Sequence, residues 1–141
     1  MPKLDAYLFF DGNCAEAMRF YERTLGGKID MMMTMGESPM AAETPPEAAG
    51  RIMHASLMLD ERRLMASDAM LGQPYEAMQG FSLSLNYKTA VEAKTVFDAL
   101  AVGGRVTMPL QKTFWSDAFG MLVDRFGTSW MFNAGKPAQM G

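Results

Sequence analysis

A single histidine is the first candidate for chemistry in this sequence. His54 is the only imidazole, and imidazole is the side chain best suited to gain or lose a proton near pH 7. On a β-strand it would share a face with Ser56 and Met58. Two roles stay open for His54: it bonds a ligand or acts as a base, or it is a partly buried histidine bonded to backbone or to a carboxylate.

Two other short stretches combine polar and aromatic side chains. Ser67 and Asp68 follow the apolar run Leu64-Met65-Ala66 and either cap a turn or face a ligand. Trp115 and Asp117 lie in a polar stretch between predicted strands. They form either a lid with a stacking face and a hydrogen-bond acceptor, or an aromatic cap at the rim of the core or of an interface.

Small side chains predict a cavity in the second half of the chain. Ser82 and Ser84 share one face of a predicted strand, where they leave space that Met131 would bound.

Cys14 lies at the start of a predicted helix, whose dipole is expected to lower the thiol pKa. Because no second thiol is present, we interpret Cys14 as a residue without a chemical role.

Residue counts exclude several classes of metal site. One cysteine and one histidine rule out an intramolecular disulfide, a cysteine-based zinc site and any site with two histidines. Sixteen methionines are present, but a thioether copper site usually adds His or Cys, and neither occurs in the cluster between Met31 and Met35. Methionine fills irregular cores and lines adaptable binding surfaces.

Composition predicts one folded domain that binds neither nucleic acid nor membrane. The chain has 141 residues, 49% hydrophobic and 21% charged, with a net charge of −3. Nucleic-acid surfaces need clustered Lys and Arg, and no targeting segment or long apolar run is visible. We therefore expect a cytoplasmic protein.

The elements that position these residues repeat along the chain. Glu16, Ala17 and Tyr21 are matched 76 positions later by Glu92, Ala93 and Phe97. Each half reads as a strand, a helix and three strands. The repeat predicts one unit over 3–70, with a loop insertion at 36–50, and a second unit over 80–134.

Caps and breakers set the expected boundaries of these elements. Asp11 or Asn13 is expected to cap the first helix, and prolines in the insertion exclude a continuous helix or strand, which predicts a mobile loop there. Both helices are expected to end at a glycine pair. The predicted elements are helices over Asn13–Leu25 and Thr89–Val102, with hairpin turns at Asp60–Arg62 and Asp124–Gly127.

Strand alternation predicts the direction of His54. Ala55, Leu57 and Leu59 point to one face of their strand, and His54 points to the other. The apolar set is the natural partner of the first helix. We therefore expect His54 on the sheet face away from that helix, inside the first half of the fold.

The repeat and its motifs resemble the PhnB-like branch of the vicinal-oxygen-chelate superfamily, which contains glyoxalases, bleomycin-resistance proteins and extradiol dioxygenases. The resemblance covers nearly the whole chain. It implies an α+β fold in which two βαβββ repeats form a cup-shaped mixed sheet with helices outside, as one domain over 1–141 that forms a homodimer. The motifs that carry it are Ala6–Asn13, Ala15–Ala17, Phe20-Tyr21, His54–Leu57, Leu64–Asp68, Phe114–Gly120 and Asp124–Trp130.

The resemblance also implies where a metal would be bound. Catalytic members of the superfamily hold a divalent metal with His or Glu at four equivalent strand positions. These fall near Ala6, Met65, Ser82 and Met131, and none of these is a good ligand for a hard or borderline cation. We therefore expect no metal and no cofactor, and glyoxalase or dioxygenase chemistry does not carry over.

Some PhnB-like relatives carry a methyltransferase name. A nucleotide-binding methyltransferase has a glycine-rich turn that leads from a strand into a helix. Here the glycine pairs Gly26-Gly27 and Gly103-Gly104 follow predicted helices. The sequence therefore gives no support for that activity.

Three functions stay open: a metal-free homodimer that binds a small apolar or amphipathic molecule, an enzyme with non-standard chemistry using His54, Asp68 or Trp115, and a scaffold without a ligand. We favour the first, and we assign no catalytic residue. The predicted ligand-binding residues are His54, Ser56, Met58, Met65, Ser67, Ser82, Ser84, Trp115 and Met131.

Overall fold

Each half of the chain folds as a strand, a helix and three further strands, as the repeat predicts. The computed structural model describes residues 1–135. The chain divides into two units, Met1–Ala77 and Met78–Gly141, and one predicted repeat falls in each. The expected α+β class with two βαβββ repeats is confirmed.

The first unit is a four-stranded mixed sheet with one helix. Its strand order is β1-β4-β3-β2; β1 runs parallel to β4 and the other neighbours are antiparallel. The hairpin turn predicted between β3 and β4 is present. The elements are β1 (Ala6–Phe10), α1 (Cys14–Leu25), β2 (Lys28–Thr34), β3 (Ile52–Leu59) and β4 (Arg62–Asp68).

The helix α1 starts and ends where expected, but its cap is different. Asn13 occupies the N-cap position without a side-chain hydrogen bond to the helix. Instead, Asp68 Oδ1, from the end of β4, accepts hydrogen bonds from the backbone N–H groups of Gly12 and Cys14. Asn13, one of the two predicted alternatives, is therefore the N-cap residue, but a distant carboxylate and not its own side chain accepts the hydrogen bonds there.

The glycine pair after α1 serves two purposes. Gly26 has φ of 84° and donates its N–H to the Glu22 carbonyl, which ends the helix in the left-handed conformation. A Cβ on Gly27 would collide with the carbonyl oxygen of Met58 and with Leu59. The helix can therefore approach the β3–β4 hairpin only where position 27 has no side chain.

The two faces of the first sheet differ in burial. Leu8, Phe10, Ala55 and Leu57 are fully or almost fully buried on the side of α1. We call the other side the open face. Its residues, placed there by strand register and alternation, are Tyr7, Phe9, His54, Ser56, Met65 and Ser67.

The insertion contains only short turns, as expected from prolines that exclude a continuous helix or strand, and its mobility stays a prediction. Three 3-10 helices occupy Met35–Glu37, Ala41–Glu43 and Pro46–Ala48. Thr34 and Glu37 form a reciprocal capping box. The prolines do exclude longer regular elements, but one of them begins a 3-10 turn.

The second unit repeats this arrangement, with strand order β5-β8-β7-β6. Thr89 caps α2 by accepting a hydrogen bond from Glu92 N–H, and the predicted turn between β7 and β8 is present. Among the helices of residues 1–135, none has the length and apolar character that crossing a membrane requires. The elements are β5 (Leu83–Tyr87), α2 (Ala90–Ala101), β6 (Arg105–Gln111), β7 (Ala118–Val123) and β8 (Ser129–Ala134).

Candidate functional site

His54 lies on the open face of the first sheet, on the side of β3 that alternation predicts. Its Nδ1 is 3.3 Å from the hydroxyl oxygen of Tyr7, and the two ring centroids are 5.7 Å apart. Tyr7 in turn packs against Phe9 at 5.0 Å. The imidazole therefore belongs to a row of aromatic rings that reaches from β1 to β3.

Ser56 and Met58 lie near a polar corner of the same face. Arg63 Nη1 donates to Ser56 Oγ at 2.9 Å and to Asp30 Oδ2 at 2.7 Å. The hydrogen bond from Arg63 lowers the pKa of the Asp30 carboxyl. Ser56 is buried and already bonded, while Met58 is half-buried opposite Arg63.

Strand register corrects the position expected for a metal ligand on β1. Ala6 pairs with Leu64, while the residue opposite Met65 is Tyr7. In the second unit Met131 pairs with Ser84, and Ser82 precedes β5. The register-matched set is therefore Tyr7, Met65, Ser84 and Met131.

This donor set does not fit the divalent metal that the superfamily resemblance implies. It offers a phenol, two thioethers and a hydroxyl, without the carboxylate or imidazole that such ions require. Within the described residues, no three His, Cys, Asp or Glu side chains cluster closely enough to hold a metal ion.

A pocket of about 330 Å³ lies in the first unit at one end of the open face. Four methionines from β3, the insertion and the segment after β4 contribute to its wall. This pocket was not predicted from the sequence, because the insertion residues that enclose it were interpreted as a mobile loop. The side chains that dominate the wall are Phe9, Met35, Met40, Met53, Ser67 and Met70.

Ser67 and Asp68 also line this pocket but differ in their bonding. Asp68 is buried and accepts three backbone hydrogen bonds, from Gly12, Cys14 and Ile52. Ser67 is 7% exposed, and in residues 1–135 its hydroxyl has no hydrogen-bond partner. Asp68 is therefore structural, and Ser67 holds an available hydroxyl at the wall.

Cys14 is fully buried behind Asp68. Burial, and then the negative charge of Asp68, raise the pKa of the Cys14 thiol to about 12. The expectation of a lowered pKa at the helix start is wrong, because desolvation outweighs the helix dipole. A thiol with this pKa stays protonated at neutral pH and is a poor nucleophile.

The remaining predicted residues belong to the second unit. Ser82 bonds Ser129, with 2.6 Å between their hydroxyl oxygens, and Ser84 is exposed opposite half-buried Met131. Trp115 packs edge-on against Phe114 at 4.7 Å and Phe119 at 5.3 Å. Its ring therefore belongs to an aromatic cluster that reaches from the segment before β7 to Phe119 at the start of that strand.

The first unit thus brings together five of the predicted binding residues. Tyr7 and Phe9 were not predicted, although the alternation of β1 indicates that they share a face. Ser56 is bonded to Arg63, His54 contacts the Tyr7 hydroxyl, and the hydroxyl of Ser67, a residue that is 7% exposed, has no partner in residues 1–135. The five residues are His54, Ser56, Met58, Met65 and Ser67.

Comparison with known proteins identifies the family. The model of the family described as 3-demethylubiquinone-9 3-methyltransferase matches residues 2–132. Protein YjdN of Escherichia coli strain K12 is 37% identical, over 96% of this chain and 97% of its own length.

Two solved structures are similar over nearly their whole length. Protein PA1353 from Pseudomonas aeruginosa is 44% identical with a TM-score of 0.89, covering 96% of this chain and 99% of its own. A putative 3-demethylubiquinone-9 3-methyltransferase, PhnB protein, from Bacillus cereus is 27% identical with a TM-score of 0.79. The match covers 95% of this chain and 100% of that one.

A more distant structure agrees in fold alone. A glyoxylase/bleomycin resistance protein/dioxygenase domain from Frankia sp. EAN1pec has a TM-score of 0.67 at 14% identity and covers 96% of this chain and 98% of its own. The chain therefore belongs to the PhnB-like family, whose model bears the description 3-demethylubiquinone-9 3-methyltransferase, and it has the fold of a glyoxylase/bleomycin resistance protein/dioxygenase domain.

Proposed function

We propose that this chain is a metal-free protein that binds a small apolar or amphipathic molecule and acts as a homodimer. The observation that carries the proposal is the open face of the first sheet with its adjoining pocket. Aromatic and thioether side chains there surround one imidazole, on His54, and one unbonded hydroxyl, on Ser67. Binding sites of this kind combine apolar walls with few polar groups.

The register-matched strand positions support binding without a metal. Tyr7, Met65, Ser84 and Met131 offer van der Waals contact and at most a hydroxyl group. Thioethers are polarizable and adapt to the shape of a ligand. An organic molecule is therefore a better match to these side chains than a hydrated cation.

An enzyme that uses His54 is the second candidate. The observation in its favour is the contact between Tyr7 and His54, because such a bond can orient an imidazole for proton transfer. The other two residues considered for catalysis have less support: Asp68 already accepts three backbone hydrogen bonds, and Trp115 lies in an aromatic cluster.

Methyl transfer, which the names of the family and of the B. cereus relative suggest, has less support. A dinucleotide-type site requires a glycine-rich turn from a strand into a helix. The connection from β1 to α1 is Asp11-Gly12-Asn13, and the glycine pairs follow α1 and α2. We therefore do not propose methyl transfer as the activity. The cytoplasmic location expected from the sequence also stays a prediction.

Exposed apolar side chains support the dimer. Val106 and Met108 lie on the edge strand β6 and are 44% and 38% exposed, and Phe114 is 83% exposed. Edge strands with apolar side chains are usually paired or covered, and homo-oligomers most often cover them through a twofold axis. A second copy of the chain is the simplest cover.

Native mass spectrometry and a titration with N-phenyl-1-naphthylamine, an uncharged fluorescent probe, test the proposal. We expect a mass of twice the 15.6 kDa chain, without stoichiometric metal, and saturable binding of one probe per chain. A monomer with no saturable binding would overturn the proposal, as would one tightly held divalent metal per chain.

A further inference from the structure

We propose that the methionine-lined pocket is the ligand subsite, and that it selects an uncharged cyclic or aromatic molecule with one hydroxyl or carbonyl group. Ser67 is the anchor for that group. The inference rests on the proposed function and deepens it, because it names the place and the chemical class of the ligand.

The pocket has the size of a small-ligand site. Its volume of about 330 Å³ lies at the lower end of the usual range for such sites. At roughly 20 to 30 Å³ per non-hydrogen atom, it holds about 11 to 16 of them. This corresponds to two fused rings with a substituent.

The wall formed by the insertion is held in place by backbone hydrogen bonds of its own. Met35 N–H donates to the Arg51 carbonyl at 2.8 Å, and Gly36 N–H donates to the Ala49 carbonyl at 2.9 Å. These bonds tie both ends of the insertion to each other. Met35 and Met40 therefore contribute to a preformed surface, which lowers the entropy that ligand binding must overcome.

The hydroxyl groups of the wall differ in availability. Ser38 Oγ donates to the Met35 carbonyl at 2.7 Å and accepts from Met40 N–H at 3.1 Å. Thr44 Oγ1 donates to the Met40 carbonyl at 2.8 Å. Ser67 is 7% exposed as a residue, and its Oγ has no partner in residues 1–135 and keeps some accessible surface, so it is the group that a ligand would bond.

The charges around the pocket disfavour an ionic ligand. Among the described residues that line it, Asp68 alone is ionisable, and its oxygens accept three backbone hydrogen bonds. Arg51 is directed elsewhere, to the Ala69 carbonyl and to Asp11. An anion entering the pocket would therefore lose its hydration without gaining a cationic partner.

Competition with N-phenyl-1-naphthylamine tests the ligand class; its naphthalene ring system has the size of the pocket, and its phenyl ring would extend onto the adjoining open face. The competitors are 1-naphthol, naphthalene and 1-naphthoate, which share the ring system and differ in one group. We expect 1-naphthol to displace the probe with a dissociation constant of about 10 to 100 µM. Naphthalene should bind about three- to tenfold more weakly because it lacks the hydrogen bond, and 1-naphthoate at least about tenfold more weakly.

Two variants and a control test whether the ligand binds in the methionine-lined pocket beside Ser67. Ser67→Ala should weaken 1-naphthol about three- to tenfold and leave naphthalene unchanged, because it removes only the hydroxyl. Met40→Ala should weaken both ligands. Val91→Ala is the control and should leave both ligands unchanged, because Val91 on α2 of the second unit is 77% exposed and does not line the pocket.

Oxidation of methionine by hydrogen peroxide gives a second readout that needs no variant. Bound 1-naphthol should protect Met40 and Met70 from sulfoxide formation and leave the oxidation rate of Met108, which is 38% exposed on β6 of the second unit, unchanged. If the probe binds but 1-naphthol neither displaces it nor protects Met40, the subsite is wrong while the proposed function stands. If Ser67→Ala weakens the binding of naphthalene as much as that of 1-naphthol, the assignment of Ser67 as the anchor of the polar group is wrong. If the probe itself does not bind, the proposed function fails as well.

Discussion

The hydroxyl oxygen of Tyr7 lies 3.3 Å from Nδ1 of His54, so that a side chain of β1 meets one of β3 across the intervening strand β4. Both residues lie on the open face, away from α1. The only histidine in the chain is therefore held beside the ring of Tyr7, at a position that a ligand on this face would touch.

Replacing His54 tests whether it contributes to binding or to stability. His54→Ala removes a long, exposed hydrogen bond, so we expect the free energy of unfolding to fall by less than about 1 kcal/mol. Binding of N-phenyl-1-naphthylamine should weaken, because the imidazole forms part of the open face. Tyr7→Phe is the matched variant, since it removes the same contact and keeps both rings. A large loss of stability with unchanged binding would show that His54 is structural.

Asp68 is expected to control stability. Asp68→Asn leaves one oxygen for the three backbone N–H groups that the carboxylate now bonds, so the free energy of unfolding should fall by about 2–4 kcal/mol. The control is Asp98→Asn, which removes only an exposed ion pair with Lys94 and should change it by less than about 0.5 kcal/mol. Urea unfolding measures both. An unchanged midpoint for Asp68→Asn would contradict the structural role.

The glycine pair after α1 gives a steric prediction. Gly27→Ala places a Cβ against the Met58 carbonyl and should destabilise the protein by about 2–4 kcal/mol. Gly50→Ala is the control, because in the described chain its Cβ would meet nothing within 4 Å, and it should be neutral or slightly stabilising. Equal thermal midpoints for the two variants would exclude the close approach of α1 to the hairpin.

The raised pKa of Cys14 predicts a pH dependence of stability. The unfolded thiol loses its proton near pH 9, whereas the folded thiol keeps it until about pH 12. The contribution of this pKa difference to the free energy of unfolding is therefore fully present below pH 9. Between pH 9 and pH 12 it falls by up to about 1.4 kcal/mol per pH unit. From pH 8 to pH 10.5, the free energy of unfolding of the protein should therefore fall relative to that of Cys14→Ala. A difference that does not change with pH would contradict the burial of the thiol.

Local signals allowed the repeated units, the helices and the hairpin turns to be predicted. Gly26 and Thr89 mark helix ends through bonds to neighbours within four residues, and such bonds depend on short-range sequence alone. The direction of His54 also followed from alternation. These features need only the spacing of residues along one element.

Long-range contacts and register could not be predicted in the same way. Asp68 caps a helix more than fifty residues away, and a slip of one residue placed Ala6 where Tyr7 lies, because neighbouring strand positions face opposite sides. The pocket depends on 3-10 turns that bring Met35 and Met40 to the sheet end. The pKa of Cys14 depends on burial, which the tertiary structure determines.

Binding without a metal is the central claim, and a chelation experiment tests it most directly. The affinity for N-phenyl-1-naphthylamine is measured before and after dialysis against EDTA, with the metal content of each sample determined by elemental analysis. We predict the same dissociation constant in both samples and no stoichiometric metal in either. Binding that is lost on chelation and restored by zinc, manganese or nickel would contradict the account.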